Sequence, residues 1–264
     1  MSGIHQAAGE ALLACDVDDK MARVHAMARQ WRAGALALGG DAPITPAARV
    51  GRPGRPRLVH PRELPRRGAG SAEGRARLMH AVAHIEFNAV NLALDAVHRF
   101  RGLPRAFYDD WLAVAEDEAR HFAMVRGWLR ARGHDYGDFP AHNGLWEMAE
   151  KTADDALARM ALVPCVLEAR GLDVTPGMAA RLRKAGEAEA ADMLDVICRE
   201  EEGHVAAGVR WFEHLCAERG LAAGETFRGL VRAHFPRGLH GPFNLEARRR
   251  AGFDVRLLDG TGEN

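Results

Sequence analysis

Asp117-Glu118-Ala119-Arg120-His121 and its echo Glu200-Glu201-Glu202-Gly203-His204 decide how this chain is read. Each is an acid followed by Glu-x-x-His, set in a long segment of helix-forming residues. On an α-helix, positions i and i+3 share a face, so Glu118 points with His121 and Glu201 with His204. One such pair is ordinary on a helix surface. Upstream of each pair, however, stands a further glutamate: Glu86 in His84-Ile85-Glu86-Phe87, and Glu168 in Val166-Leu167-Glu168-Ala169. The gaps match, 118 − 86 = 32 residues and 201 − 168 = 33 residues. In an antiparallel helix pair with a short turn, such a gap returns the chain to the same height. Two such hairpins packed together would set four carboxylates and two imidazoles at one level of a four-helix bundle.

The rest of the sequence suits an all-α chain. Its 264 residues can bury a sizeable core, and aromatics are only 6% while Ala, Leu, Arg and Glu are abundant. Lys+Arg and Asp+Glu both number 36, so no global charge draws the chain to nucleic acid or membrane. Cys15, Cys165, Cys198 and Cys216 are scattered, without a C-x-x-C pair. That pattern argues against a zinc ribbon or disulfide framework and fits a reducing cytoplasm. With no export signal and no run of roughly 18 apolar residues, a cytoplasmic protein without a membrane anchor is expected.

Taken in order, residues 5–35 read as one or two amphipathic helices capping the main domain. Residues 36–70 are rich in Pro and Gly, which neither a helix nor a central strand tolerates. Arg49, Arg52, Arg55, Arg57, Arg62, Arg66 and Arg67 face only Asp41 and Glu63 there. The stretch is either an arm that contacts RNA or another polyanion, or an extended connection lying over the bundle. It lacks the interleaved aromatics of a single-strand binder, which favours the second reading. Residues 1–70 are therefore assigned to N-terminal helices and arm, 71–219 to the bundle, and 220–264 to a C-terminal helix and tail.

Ser71 is an N-cap for a first bundle helix over 72–101, and Pro104 opens a second over 104–132. After a loop at 133–143, a third helix is expected over 145–171, with Pro164 kinking or bulging it one turn before Glu168. Thr175-Pro176 should start a short helix over 176–186. The fourth bundle helix spans 187–219, with Ala207 and Gly208 leaving room for a ligand beside Ala93. Short helices at 223–234 and 245–251 follow, the tail serving as a packing strap.

A glutamate inside an apolar helix stripe needs a partner, because a lone buried carboxylate is very costly. The doubled pattern matches the known ligand arrangement of ferritin-like di-iron and di-manganese carboxylate proteins. Carboxylates with one imidazole per metal suit iron or manganese, or a mixed pair, better than zinc. Glu118 and Glu201 could bridge two ions, with Glu86 and Glu168 terminal and His121 and His204 one to each. Asp117 and Glu200 either support His204 and His121 across the bundle by accepting a ring N–H, or face water. His80 and His84 read as core or supporting residues.

The motifs Ala83-His84-Ile85-Glu86, Glu118-Ala119-Arg120-His121-Phe122, Tyr136-Gly137-Asp138-Phe139-Pro140-Ala141-His142, Leu167 through Pro176 and Glu201-Glu202-Gly203-His204 resemble the ferritin-like domain-of-unknown-function family 455. The likeness covers nearly the whole chain, including Pro242-Phe243-Asn244. It implies a ferritin-like bundle with a di-iron-type site on Glu86, Glu118, His121, Glu168, Glu201 and His204, and supplies no reaction. More distantly the chain is similar to the di-iron tRNA hydroxylases. Three function classes follow: an O2-activating di-iron oxidase or hydroxylase acting on a small-molecule or anionic substrate such as RNA, a non-cage iron-binding protein, and a metal-dependent structural or partner-binding protein. The sequence fixes neither the substrate nor the oligomeric state.

Overall fold

The computed structural model describes residues 3–39 and 43–258; Asp41 and the end of the tail, residues 259–264, lie outside them. The fold is all-α, and its core is a ferritin-like set of four long helical segments with extra helices at both ends. The chain divides into two compact units, residues 1–150 and 151–264.

The first unit is built on an antiparallel pair, α3 (Ala72–Arg99) and α4 (Arg105–Arg130). The Ser71 side chain accepts from Gly74 N–H at 3.1 Å and so caps α3, as its sequence predicts. Gly102, at φ 76°, turns the chain between the two helices, a conformation that costs glycine no Cβ clash. The Tyr108 hydroxyl donates to Phe100 O at 3.0 Å and fastens this turn.

Two shorter helices, α1 (Ile4–Leu13) and α2 (Val17–Arg32), cover the pair. Trp31 Nε1 donates to Asp109 at 2.6 Å, and His5 Nδ1 lies 2.7 Å from Val97 O. The Pro/Arg-rich arm is an extended connection with a single 3-10 turn at Pro61–Glu63. It is tied down in this unit by Gly51 N–H to Leu12 O, Val59 N–H to Ala141 O, and Trp146 Nε1–H to Ala47 O.

The second unit holds a broken helical segment and one long helix. A short helix, α5 (Gly144–Lys151), runs up to the boundary; then come α6 (Ala156–Leu162), a π-helical turn (Val163–Glu168), and α7 (Ala169–Lys184). The expected single helix over 145–171 is thus interrupted before Ala156, where Asp155 caps a fresh start by accepting from Leu157 N–H at 3.0 Å. Pro164 does bulge the chain: the Ala169 N–H reaches back five residues to Pro164 O.

The expected break at Thr175-Pro176 is absent, and α7 runs through Pro176. Proline at 176 removes the N–H that would bond Leu172 O four residues back. The Asn244 side-chain amide donates to that carbonyl instead, at 3.2 Å. The local rule lost to a tertiary hydrogen bond from the tail.

Helix α8 (Ala188–Glu218) follows a turn at Gly186, and α9 (Ala223–His234) and α10 (Leu245–Arg250) complete the unit. Arg248, 2% exposed, forks onto Asp173 of α7 at 2.9 and 2.7 Å and makes the tail a strap. Gly208 does not leave room for a ligand: a Cβ there would meet the Pro164 ring at 2.3 Å, so the space belongs to the π turn. No described helix is long and apolar enough to cross a membrane.

Candidate metal centre

In the first unit, Glu86 of α3 and Glu118 and His121 of α4 come together. Their relative exposures are 3%, 0% and 0%. His121 Nδ1 lies 3.4 Å from Glu86 Oε2 and 3.5 Å from Glu118 Oε2. The i, i+3 spacing sets the Glu118–His121 pair on one face of α4, and the antiparallel packing of α3 supplies Glu86.

Donors bound at about 2.0–2.2 Å to one ion stand roughly 3.0–3.5 Å from each other, so these separations fit a shared metal. The donor set fits as well: two hard carboxylate oxygens and one imidazole suit iron or manganese. Burial alone would lower the His121 pKa, but the neighbouring carboxylates of Glu118 and Glu86 outweigh it and hold the value up at about 11. A metal ion entering there must displace that proton.

In the second unit, α8 presents Glu201 and His204 with His204 Nδ1 3.5 Å from Glu201 Oε2, the same geometry as the Glu118–His121 pair. Both are buried, at 7% and 3% exposed. Glu168 closes the π turn and is 8% exposed. All six glutamates and histidines singled out in the sequence are therefore buried, three of them in each unit.

Asp117 is different. It is half exposed and accepts from Arg120 on its own helix at 2.9 Å. Glu200 is partly buried on α8. Glu202 forms a three-bond pair with Arg250 of α10 and thereby fastens the strap to α8.

The wall beside the first triad was only partly readable in the sequence. His84, two residues before Glu86, has its Nδ1 2.9 Å from the Tyr136 hydroxyl, with its Nε2 3.0 Å from His142 O. Gly137 N–H donates to His80 Nε2 at 2.9 Å. Burial pushes the pKa of His80 down to about 4 and that of His84 to about 3, so both remain neutral and act as structural acceptors and donors. Tyr136 stacks over His80 and packs against Phe87 and Phe122, which are the neighbours in sequence of Glu86 and His121. Reading the loop at 133–143 as a mere crossing missed this role; the signal was Tyr136 and Phe139 standing in a stretch otherwise made of turn formers.

Comparison with known proteins agrees with this picture. No solved structure matches the chain. A protein of Haemophilus influenzae described as uncharacterized is 46% identical over 214 residues, covering 78% of this chain and 74% of its own length. Residues 13–259 match the model of the family described as "Protein of unknown function (DUF455)", and the chain belongs to that family.

Proposed function

We propose that the protein is a dimetal-carboxylate protein, an O2-activating di-iron oxidase or hydroxylase, with three buried ligands from each unit. The observation that carries this reading is the first triad: an imidazole 3.4 and 3.5 Å from two carboxylates, all three nearly or fully excluded from water. Such a cluster of acids is tolerable in a helix core when a cation neutralises it. The repeat of Glu-x-x-His in the second unit supplies a second set of the same kind.

In this reading Glu86, Glu118 and His121 would hold one ion and Glu168, Glu201 and His204 the other. A bound pair of iron ions would supply the electrons and the O2 chemistry. The chain's own contribution is to fix the ligand directions from helices, keep water out with Phe87 and Phe122, and hold His84 neutral beside the site. Asp117 and Glu200 are proposed to support the metal-holding histidines by accepting their outer ring N–H groups. Iron is preferred, with manganese or a mixed pair as the other metals this donor set accepts. The arginines Arg49, Arg55, Arg57, Arg62, Arg66 and Arg67 are exposed along the arm and support an anionic substrate such as RNA.

Anaerobic loading with iron(II) followed by O2 tests the reading. It predicts O2 uptake in fixed ratio to bound iron, without mineral growth. Ferric mineral accumulating beyond the bound iron would instead identify an iron-storage protein, and inertness toward O2 a structural metal.

A further inference from the structure

Arg52 is the one arginine of the arm, among those from 49 to 67, that is not exposed. Its Nε and Nη2 atoms are buried and have no hydrogen-bond partner among the described residues. Its position is not accidental. The preceding Gly51 donates to Leu12 O at 2.9 Å, and a Cβ at Gly51 would meet Leu13 O at 2.3 Å. Only glycine allows the arm to press this closely on the end of α1, and the contact delivers Arg52 into the interior. The guanidinium lies 5.9 Å from the centre of the Trp146 ring, whose own N–H is bonded to Ala47 O.

Beside it is a cavity of about 70 Å³, lined by Arg52, Pro53, Pro56, Leu58, His84, Phe87 and Tyr136. A second cation stands close by: Lys20, fully buried, donates to Ala11 O and Leu12 O and lies 5.7 Å from the Phe87 ring centre. Burial, with Arg52 adding repulsion, pushes the Lys20 pKa down to about 7. The region therefore holds two inward-facing basic side chains, and among the described residues neither forms an ion pair with a carboxylate.

An arginine fork with free N–H donors matches the two oxygens of a carboxylate or an oxoanion. The other walls decide between them. Pro53, Pro56, Leu58 and Phe87 offer apolar surface, which suits a short hydrocarbon, while the Tyr136 hydroxyl and His84 are already bonded to each other and His84 to His142 O, so they leave little for the remaining oxygens of phosphate or sulfate. We propose that this cavity is a binding site for a small carboxylic acid, its carboxylate on Arg52 and its short apolar tail against Phe87 and the prolines. The proposal does not depend on the dimetal reading, since the cavity lies wholly within the first unit and can be tested without metal.

The test is thermal unfolding of the full chain with acetate, propionate or butyrate, each compared with sodium chloride at equal ionic strength and pH. Propionate or butyrate should raise Tm saturably, by about 3–5 °C at ten times Kd. Arg52→Met should abolish the rise, and Arg52→Lys, which keeps the charge but not the fork, should weaken it at least tenfold in Kd. Absence of any carboxylate-specific rise in the wild type overturns the proposal whatever the variants do. An equal rise with phosphate or sulfate overturns it too, as does an undiminished rise in Arg52→Met.

Discussion

In the α3–α4 pair, both helices run unbroken past Glu86, Glu118 and His121, and these three side chains sit at 0–3% exposure. In the second unit, the glutamate at position 168 ends a π turn, and its triad is 3–8% exposed. The two halves carry the same residue types at nearly the same spacing, yet only the first is made from regular helix. The difference shows where each half draws its rigidity. The first relies on helix-to-helix packing and a loop of aromatic residues around Tyr136. The second gives up backbone hydrogen bonds at Pro164 and Pro176 and recovers order from the tail, through Asn244 on Leu172 O and Arg248 on Asp173.

This contrast can be broken experimentally. The largest stability effect is expected at the strap. Arg248→Met leaves the Asp173 carboxylate, 0% exposed, without its fork, and should cost about 3–5 kcal/mol in urea unfolding. It should also weaken metal binding through the second triad. A loss below about 1 kcal/mol would mean that the tail is not what orders α7.

Next comes the π turn. Gly208→Ala pushes a methyl group into the Pro164 ring and should cost about 1–3 kcal/mol by overpacking. If the π turn sets the direction of Glu168, metal affinity should fall with it. A variant as stable as the wild type would show that α8 and the turn are loosely packed.

The smallest effect per step belongs to Lys20 in the first unit. Its folded pKa is about 7, below the ordinary 10.5, so between those values the unfolded chain binds more protons. Stability should therefore rise with pH across that window, by at most about 1.4 kcal/mol per pH unit from this group. Comparing the pH dependence of unfolding for the wild type and Lys20→Met checks it: the variant should lose this slope.

Much of the architecture was legible because helices announce themselves locally. Ser71 marks a helix start through its capping side chain alone, and the Glu-x-x-His spacing follows from helix geometry. Pro164 was readable as a distortion. What escaped was settled by distant residues. Pro176 reads as a helix start until Asn244 is known to cover Leu172 O. Gly208 reads as open space until the Pro164 ring is placed against it. Arg52 reads as one more surface arginine, since nothing in its neighbours along the chain reports that Gly51 turns it inward. Of the candidate site, the residue identities were readable; the wall of His84, Tyr136 and Phe87 depended on a loop whose path has no periodicity.

The most direct measurement of the central claim is anaerobic titration with manganese(II) or iron(II), counting ions per chain in the wild type, Glu118→Ala and Glu201→Ala. Two ions per wild-type chain are expected, with Glu118→Ala and Glu201→Ala each weakening metal binding at least tenfold. A wild type that binds no ion, or either variant binding two ions as tightly as the wild type, would contradict the account.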